Sequence, residues 1–285
     1  MTAEEFHFNI RLLYMPANES LFTVEDGGML TGYTGNITNL VIPPVIQGVV
    51  ILTIAGGPSA SVPGVFGNRG LTNVTIPNTV RVIGERAFMN NQLTNLIIPD
   101  SVIYMGLGAF ANNQLSSVTI PNTLTSIRRS VFLNNHLTSI TIPNSVRTIE
   151  YQAFRNNRLT SVIIPNNVVS IGDRAFQGVE NRITTLIIPN GVTSIGSRAF
   201  AGNQLTSLII PDSVRSIGAN AFVPLGTDAG VLNFVLTSVS IGANVTLDWR
   251  SLRDGFTEFY AQNGRRAGTY TLSGSGRNET WTFTQ

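Results

Sequence analysis

The feature that most limits how this chain folds is a repeat of 22 residues. The segments LTNVTIPNTVRVIGERAFMNNQ, LTNLIIPDSVIYMGLGAFANNQ, LSSVTIPNTLTSIRRSVFLNNH and LTSITIPNSVRTIEYQAFRNNR follow one another without gaps from Leu71, Leu93, Leu115 and Leu137. Further units start at Leu159, Ile183 and Leu205, and the single 24-residue step comes from two extra residues within Gln177–Arg182. A diverged first copy starts at Ile37, with an insertion before Val65, and a partial last copy starts at Leu236. A unit this short cannot bury its apolar side alone, whereas stacked units share one core.

Each unit opens on three apolar positions, as in Leu71, Val74 and Ile76. Val74 and Ile76 alternate with Asn73 and Thr75, the periodicity of a strand. A proline follows in eight copies: Pro43, Pro77, Pro99, Pro121, Pro143, Pro165, Pro189 and Pro211. Having no N–H to give, it ends the strand at the same place each time. The second half of the unit holds two more inward positions, as in Val80 and Ile83. It closes on a phenylalanine column, Phe66, Phe88, Phe110, Phe132, Phe154, Phe176, Phe200 and Phe222. This column is expected to stack inside the solenoid. The asparagine pairs that follow, such as Asn90-Asn91 and Asn156-Asn157, are expected to bond neighbouring coils through their amides.

An open stack exposes core and strand edges at both ends, so it needs caps. Leu21–Gly35 reads as a hairpin turning at Asp26-Gly27-Gly28. Near the other end, Trp249, Leu252, Phe256 and Phe259 fall at helical spacing, with Asp248 as N-cap and Gly264 as stop. AGTYTL and ETWTFT, around the Gly/Ser-rich stretch Ser273–Asn278, read as a closing hairpin. The expected organisation is residues 1–36 as an N-terminal segment and capping hairpin, 37–247 as the solenoid of about eight full units, and 248–285 as a helix-plus-hairpin cap.

The L-x-x-L-x-L start of each unit is the pattern of a leucine-rich repeat. The whole unit LTSITIPNSVRTIEYQAFRNN resembles the BspA-like, or Treponema pallidum-type, leucine-rich repeat, over about Ile37 to Leu247. The segment Phe256–Phe283 also resembles the C-terminal part of treponemal members. The resemblance implies a mainly β, right-handed solenoid with a parallel sheet on its concave face. It also implies a bacterial cell-surface or secreted protein that binds host matrix proteins or other bacteria, with no shared catalytic residues. This chain departs from the family in two ways. No secretion signal is present in MTAEEFHFNIRLLYMPANES, and the cysteine that relatives often carry after the AF dipeptide is absent.

Composition removes several other classes of function. Charged residues make up 12% of the chain, about half the usual share, and solubility falls to Ser, Thr and Asn. All 18 basic residues are arginine, the net charge is +2, and no basic cluster interleaves with aromatics, so nucleic acid is not an expected partner. The absence of cysteine excludes disulfides, CxxC redox chemistry and thiolate metal sites. No apolar run reaches the ~18 residues of a membrane span.

A search for chemistry yields little. The two histidines are His7, near the start, and His136, at a repeat corner where sister units carry Gln92, Gln114 and Arg158. A His-based triad or metal site would have to use one of these. H-E-x-x-H, G-x-S-x-G and P-loop motifs are missing. Gly106-Leu107-Gly108-Ala109-Phe110-Ala111 fits the dinucleotide fingerprint. However, Gly106 is the in-phase partner of Gly84, Gly172, Gly196 and Gly218, which makes it a packing glycine of the repeat. Among the carboxylates, Glu150 and Asp173 come closest, in adjacent coils and one column apart, and they read as surface charge. No catalytic, cofactor-binding or metal-ligating residue is assigned, and the chain does not read as an enzyme.

The surface is more informative. Strand alternation exposes one column of Asn73, Asn95, Ser117, Ser139, Ser161, Thr185 and Ser207 and a second of Thr75, Ile97, Thr119, Thr141, Ile163, Ile187 and Ile209. At about 4.8 Å per coil this face extends roughly 40 Å, enough for a standard protein interface. Ile163, Ile187 and Ile209 make an apolar patch of the kind that marks interaction sites. Arg128, Arg129, Arg155, Arg158, Arg174, Arg182 and Arg198 form a second candidate surface away from those strands, suited to an acidic protein or a sulfated glycan. The expected function is a protein-binding repeat module working as an adhesin. The alternatives are an intracellular scaffold and a carbohydrate-binding module.

Overall fold

The computed structural model describes residues 18–57, 62–223, 236–248, 252, 255–273 and 280–285. The chain forms two compact units, Met1–Thr123 and Leu124–Gln285. Each is a mainly β repeat solenoid. Among the described residues the only helices are a 3-10 turn, Glu19–Leu21, and an α-helix, Phe256–Gln262.

Each coil contributes a first strand, ended by the repeat proline, and a shorter second strand. In unit one the first strands are Asn39–Val41, Asn73–Thr75, Asn95–Ile97 and Ser117–Thr119, paired in parallel and in register, Asn39 with Asn73 and Asn95 with Ser117. The second strands Thr53–Ile54, Val82–Ile83 and Tyr104–Met105 form their own parallel ladder. That ladder is continued by the hairpin strands Met29–Tyr33 and Phe22–Glu25, antiparallel to each other and bulged at Thr23/Val24. Gly27 and Gly28 turn the hairpin with φ of 80° and 79°, a region open to glycine.

In unit two the first strands include Ser161–Ile163, Thr185–Ile187, Ser207–Ile210 and Ser238–Ile241, with Thr141 bridged to Ile163. The second strands run unbroken through Ser126–Ile127, Thr148–Ile149, Ser170–Ile171, Ser194–Ile195, Ser216–Ile217 and Thr246–Leu247. In most coils the proline after the first strand opens a turn in which the valine three residues on donates to its carbonyl, as Val168 does to Pro165 at 3.1 Å. Proline lacks the donor but keeps the acceptor, so it ends the strand and closes the corner together.

The phenylalanine column is a stack of rings in each unit. Phe66, Phe88 and Phe110 lie 5.1 and 5.2 Å apart, tilted by 13° and 4°. Tyr33 continues that stack at 5.5 Å from Phe66. In unit two Phe132, Phe154, Phe176, Phe200 and Phe222 stack at 5.6, 5.3, 5.1 and 5.4 Å.

Beside the rings from Phe88 to Phe200 sits a corner asparagine, buried at Asn91, Asn113, Asn135, Asn157 and Asn181 and half-buried at Asn203. Asn157 accepts from the Leu137 N–H at 3.1 Å and donates to the carbonyls of Phe132 and Phe154 at 2.9 and 3.0 Å. Asn91, Asn113, Asn181 and Asn203 make the same three bonds in their coils. One amide therefore satisfies backbone groups of two coils where no strand runs to do so. Asn181 follows the two-residue insertion yet keeps these partners, and Phe176 keeps its place in the stack.

Two positions per coil turn left-handed. Asn90, Asn112, Asn134 and Asn156 occupy one, at φ of 52° to 59°, where asparagine is at ease. The other holds Arg86, Gly108, Ser130, Gln152, Arg174, Arg198 and Asn220, at φ of 55° to 60°. At this second position the twist aims the N–H at the next coil, as Arg174 donates to Ser197 and Arg198 to Ala219 at 2.8 and 2.9 Å. A branched or long side chain there carries a steric cost that Gly108 and Asn220 largely avoid.

The C-terminal cap differs from the sequence reading in its helix. Asp248 is not the N-cap. The helix begins at Phe256, after Gly255 at φ 76°, and has no side-chain cap. Trp249 lies outside the described residues, as do His7 and residues 274–279 of the Gly/Ser-rich stretch. Leu252, Phe256 and Tyr260 are buried, whereas Phe259 is only half-buried. The inward stripe is set by Tyr260, whose hydroxyl donates to the Gly242 carbonyl at 2.7 Å and accepts from the Val245 N–H at 3.2 Å. Burial pushes its pKa up from the ordinary tyrosine value. Gly264, at φ 68°, ends the helix as expected. Gly268–Ser273 and Thr280–Thr284 then close the unit as an antiparallel hairpin laid on Ser238–Ile241.

Candidate functional site

The first strand of a coil is pinned by its middle residue, which points into the core, and so its two neighbours face solvent. In unit one Asn73, Thr75, Asn95, Ile97, Ser117 and Thr119 are all exposed. In unit two the same holds for Ser139, Thr141, Ser161, Ile163, Thr185, Ile187, Ser207 and Ile209. Parallel pairing in register lines these residues up as columns, with Ser161 beside Thr185 and Ile163 beside Ile187.

The face is not uniform. In unit one it is amide-rich. Asn39, Asn73 and Asn95 line an open depression of about 700 Å³ with Thr75, Ile97 and Pro99. Asn95 is fixed there by the Ser117 hydroxyl, which donates to its side-chain oxygen at 2.9 Å. In unit two the second column becomes a row of isoleucines, Ile163, Ile187 and Ile209, exposed by 74, 67 and 69%. Core isoleucines that follow directly in the same coils, such as Ile164 and Ile188, are exposed by 4 and 5%.

The second strands present another surface. In unit two the residue before each buried isoleucine is a hydroxyl: Ser126, Thr148, Ser170, Ser194 and Ser216, held in register by parallel pairing. Sequence reasoning passed over this column because its residues look like ordinary polar filler. Its signal was the contrast with Val82 and Tyr104 at the same position in unit one. An open depression of about 470 Å³ lies here, lined by Arg129, Thr148, Glu150, Tyr151, Ser170 and Asp173. The Arg129 guanidinium stacks 4.6 Å from the centre of the Tyr151 ring, and Arg174 donates to the Tyr151 hydroxyl at 3.0 Å.

Glu150 and Asp173 are more than surface charge. Glu150 accepts from the Ser126 hydroxyl at 2.8 Å and the Arg129 N–H at 3.1 Å, and Asp173 accepts from the Ser197 N–H at 2.8 Å. Both carboxylates tie one coil to the next. His136 is half-buried at its corner. Gly106 is a stacking glycine, since a Cβ there would stand 2.5 Å from the Glu85 backbone nitrogen. Residues 107–110 form a turn and no helix follows to receive a phosphate. Among the described residues no three His, Asp or Glu side chains gather as metal ligands, and no helix is long and apolar enough to cross a membrane.

A sequence profile of the BspA type leucine rich repeat region matches the chain in six copies, over residues 63–181 and 179–227. None of the curated proteins matches it in sequence. Among solved structures, a leucine-rich repeat protein from Bacteroides ovatus aligns at 24% identity over 79% of this chain and 64% of its own length, with a TM-score of 0.56. A leucine rich cell surface protein from Faecalibacterium prausnitzii aligns at 25% identity over 92% of this chain and 58% of its own length, with a TM-score of 0.46. The leucine rich repeat protein of T. pallidum aligns at 19% identity over 87% and 96%, with a TM-score of 0.36. The chain thus spans less than two thirds of the length of the first two proteins. The first likeness agrees with the repeat fold described above.

Proposed function

The chain belongs to the BspA-type leucine-rich-repeat family, and from that premise we propose that it binds a protein through the exposed face of its first strands. The observation that carries this reading is the isoleucine row of unit two, three large apolar side chains in adjacent coils, each about two-thirds exposed or more. Burying an isoleucine contributes roughly 1.5–3 kcal/mol, so a face that leaves three in water is poorly served by solvent alone. Strand propensity accounts for a β-branched residue here, but Thr75, Thr119 and Thr141 meet that need without the apolar surface. Ser161, Thr185 and Ser207 run beside the row and supply hydrogen-bonding groups for a polar rim.

The role is binding rather than catalysis, in keeping with Glu150 and Asp173, whose carboxylates are already engaged by backbone N–H groups. Its setting in this proposal is a bacterial surface, as an adhesin for a host matrix protein or a neighbouring bacterium. This follows the resemblance of the repeat unit rather than any single residue. A scaffold inside the cell would use the same face.

The test is biosensor binding of the purified chain to host matrix proteins, fibronectin and fibrinogen among them, beside a variant carrying Ile163→Glu, Ile187→Glu and Ile209→Glu. Saturable binding that the variant loses supports the reading and its face. Binding that survives in the variant removes the face, and binding to no matrix protein removes the host-matrix ligand. Protease treatment of intact cells that spares the protein removes the surface setting.

A further inference from the structure

We propose that the second-strand face of unit two binds a linear sulfated polysaccharide, at a site separate from the isoleucine row. The hydroxyl column Ser126, Thr148, Ser170, Ser194 and Ser216 runs along the stacking direction, one group per coil. At about 4.8 Å per coil it extends roughly 20 Å. Arginines flank it on both sides. Arg147 and Arg215 stand immediately before their strands, and Arg129, Arg174 and Arg198 follow in the turn after it.

Residues 124–223 hold nine arginines against four carboxylates. Two of those four, Glu150 and Asp173, lie on this face and are already bonded to backbone N–H groups. Arg129, Arg147, Arg198 and Arg215 form no ion pair among the described residues. Arg215 donates to the Asp212 carbonyl at 3.2 Å and Arg129 stacks on Tyr151, neutral contacts that leave the positive charge of these groups for an external anion.

The chemistry narrows the partner. A guanidinium offers a planar fork that fits the oxygens of a sulfate, and a hydroxyl such as that of Ser170 or Ser194 adds a donor beside it, whereas the Ser126 hydroxyl is already given to Glu150. Donors spaced one coil apart along a straight line suit a polymer that repeats its charges. A protein partner needs an apolar anchor at the centre of its contact. Among the described residues the one aromatic on this face, Tyr151, is occupied by Arg129 and Arg174. For the same reason no ring among the described residues of this face is left to stack a base, as single-stranded nucleic acid requires. In unit one the same column carries Val82 and Tyr104, so the property belongs to unit two.

The experiment measures heparin binding by the full chain at about 0.15 M salt, with hyaluronan and single-stranded DNA as comparison polymers. A combined variant carries Arg147→Thr, Arg198→Asn and Arg215→Thr. Sister coils hold Thr125, Thr193 and Asn220 at these positions, so the replacements suit the fold, and a thermal melt verifies it. Arg81→Thr, the equivalent change in unit one, is the control for charge alone.

The expected result is heparin binding that weakens with salt, drops roughly tenfold or more in the combined variant, and stays within about twofold for Arg81→Thr. Hyaluronan, which carries carboxylates but no sulfate, binds at least about tenfold more weakly. The proposal is overturned by absence of heparin binding, by a combined variant that binds as well as the parent, or by an equal loss from Arg81→Thr. Hyaluronan binding equal to heparin overturns the sulfate preference. DNA that binds as tightly as heparin, through the same arginines, makes the site a general polyanion or nucleic-acid surface and overturns the glycan assignment. The isoleucine row takes no part, so either surface fails or stands independently.

Discussion

The inner edge of a coil and its outer columns obey different rules, although one 22-residue period writes both. At the inner edge the choice is nearly fixed. A phenylalanine stacks on a phenylalanine about 5 Å away, and an asparagine three residues later, or five in the lengthened coil, ties the backbone of two coils. On the outer columns the same backbone tolerates Asn, Ser, Thr or Ile. The difference lies in what each residue touches. An inner ring or amide has partners from its own coil and the next, so one change disturbs two coils. An outer side chain has water on one side, so it is free to answer to something other than folding.

If that division is right, substitutions should fall into two classes of magnitude. Phe154→Ala removes a fully buried ring between two others and is expected to cost about 3–5 kcal/mol, read by chemical denaturation. A loss below about 1 kcal/mol would mean that the stack is not what holds the coils. Asn157→Ala leaves the Leu137 N–H buried without its acceptor and takes one amide donor each from the Phe132 and Phe154 carbonyls, of which the latter keeps Asn181, and is expected to cost roughly 2–3 kcal/mol, large for a polar residue. Serine at this position, too short to span both coils, should recover little of it.

Arg198→Asn tests the border between the classes. Arg198 is exposed, but its backbone is left-handed at φ 55°, a conformation asparagine accepts more readily. The change is expected to stabilise the chain by about 0.5–1 kcal/mol. A destabilisation would show that the guanidinium packs to some purpose. The smallest effect is predicted for Ile163→Thr, which copies the Thr141 of the preceding coil. Its stability should shift by no more than about 0.5 kcal/mol, while binding at that face weakens. A large loss would make the isoleucine row structural and sharply weaken its reading as a docking surface.

Much of this was legible in the sequence because the repeat compares the chain with itself. A position that never varies, such as Phe88, Phe110 and Phe154, marks a partner in the next coil. A position that alternates between Thr and Ile marks exposure. Other features left no trace. Nothing about arginine announces a left-handed backbone, and Arg86, Arg174 and Arg198 adopt it only because the coil needs an N–H aimed at its neighbour. The division of the chain at Thr123–Leu124 falls inside a unit as regular as those around it. The capping helix was placed too early because Trp249 and Phe259 mimic a helical stripe, whereas the buried stripe runs through Leu252, Phe256 and Tyr260. The hydroxyl column was missed because serine and threonine are common everywhere in this chain. Its meaning appears only when register puts one beside the next.

The coil that begins at Leu159 is two residues longer than its neighbours, and its ring and amide are where they should be. The extra length, around Val179 and Glu180, is left on the outside, where both are exposed. A coil is therefore defined by where it is fastened rather than by how many residues it contains. The corner between Phe176 and Asn181 behaves like an expansion joint in masonry, taking up added material without moving the courses above and below. Of all places on this chain, that corner is where a foreign loop could be carried outward on a scaffold that does not register its presence.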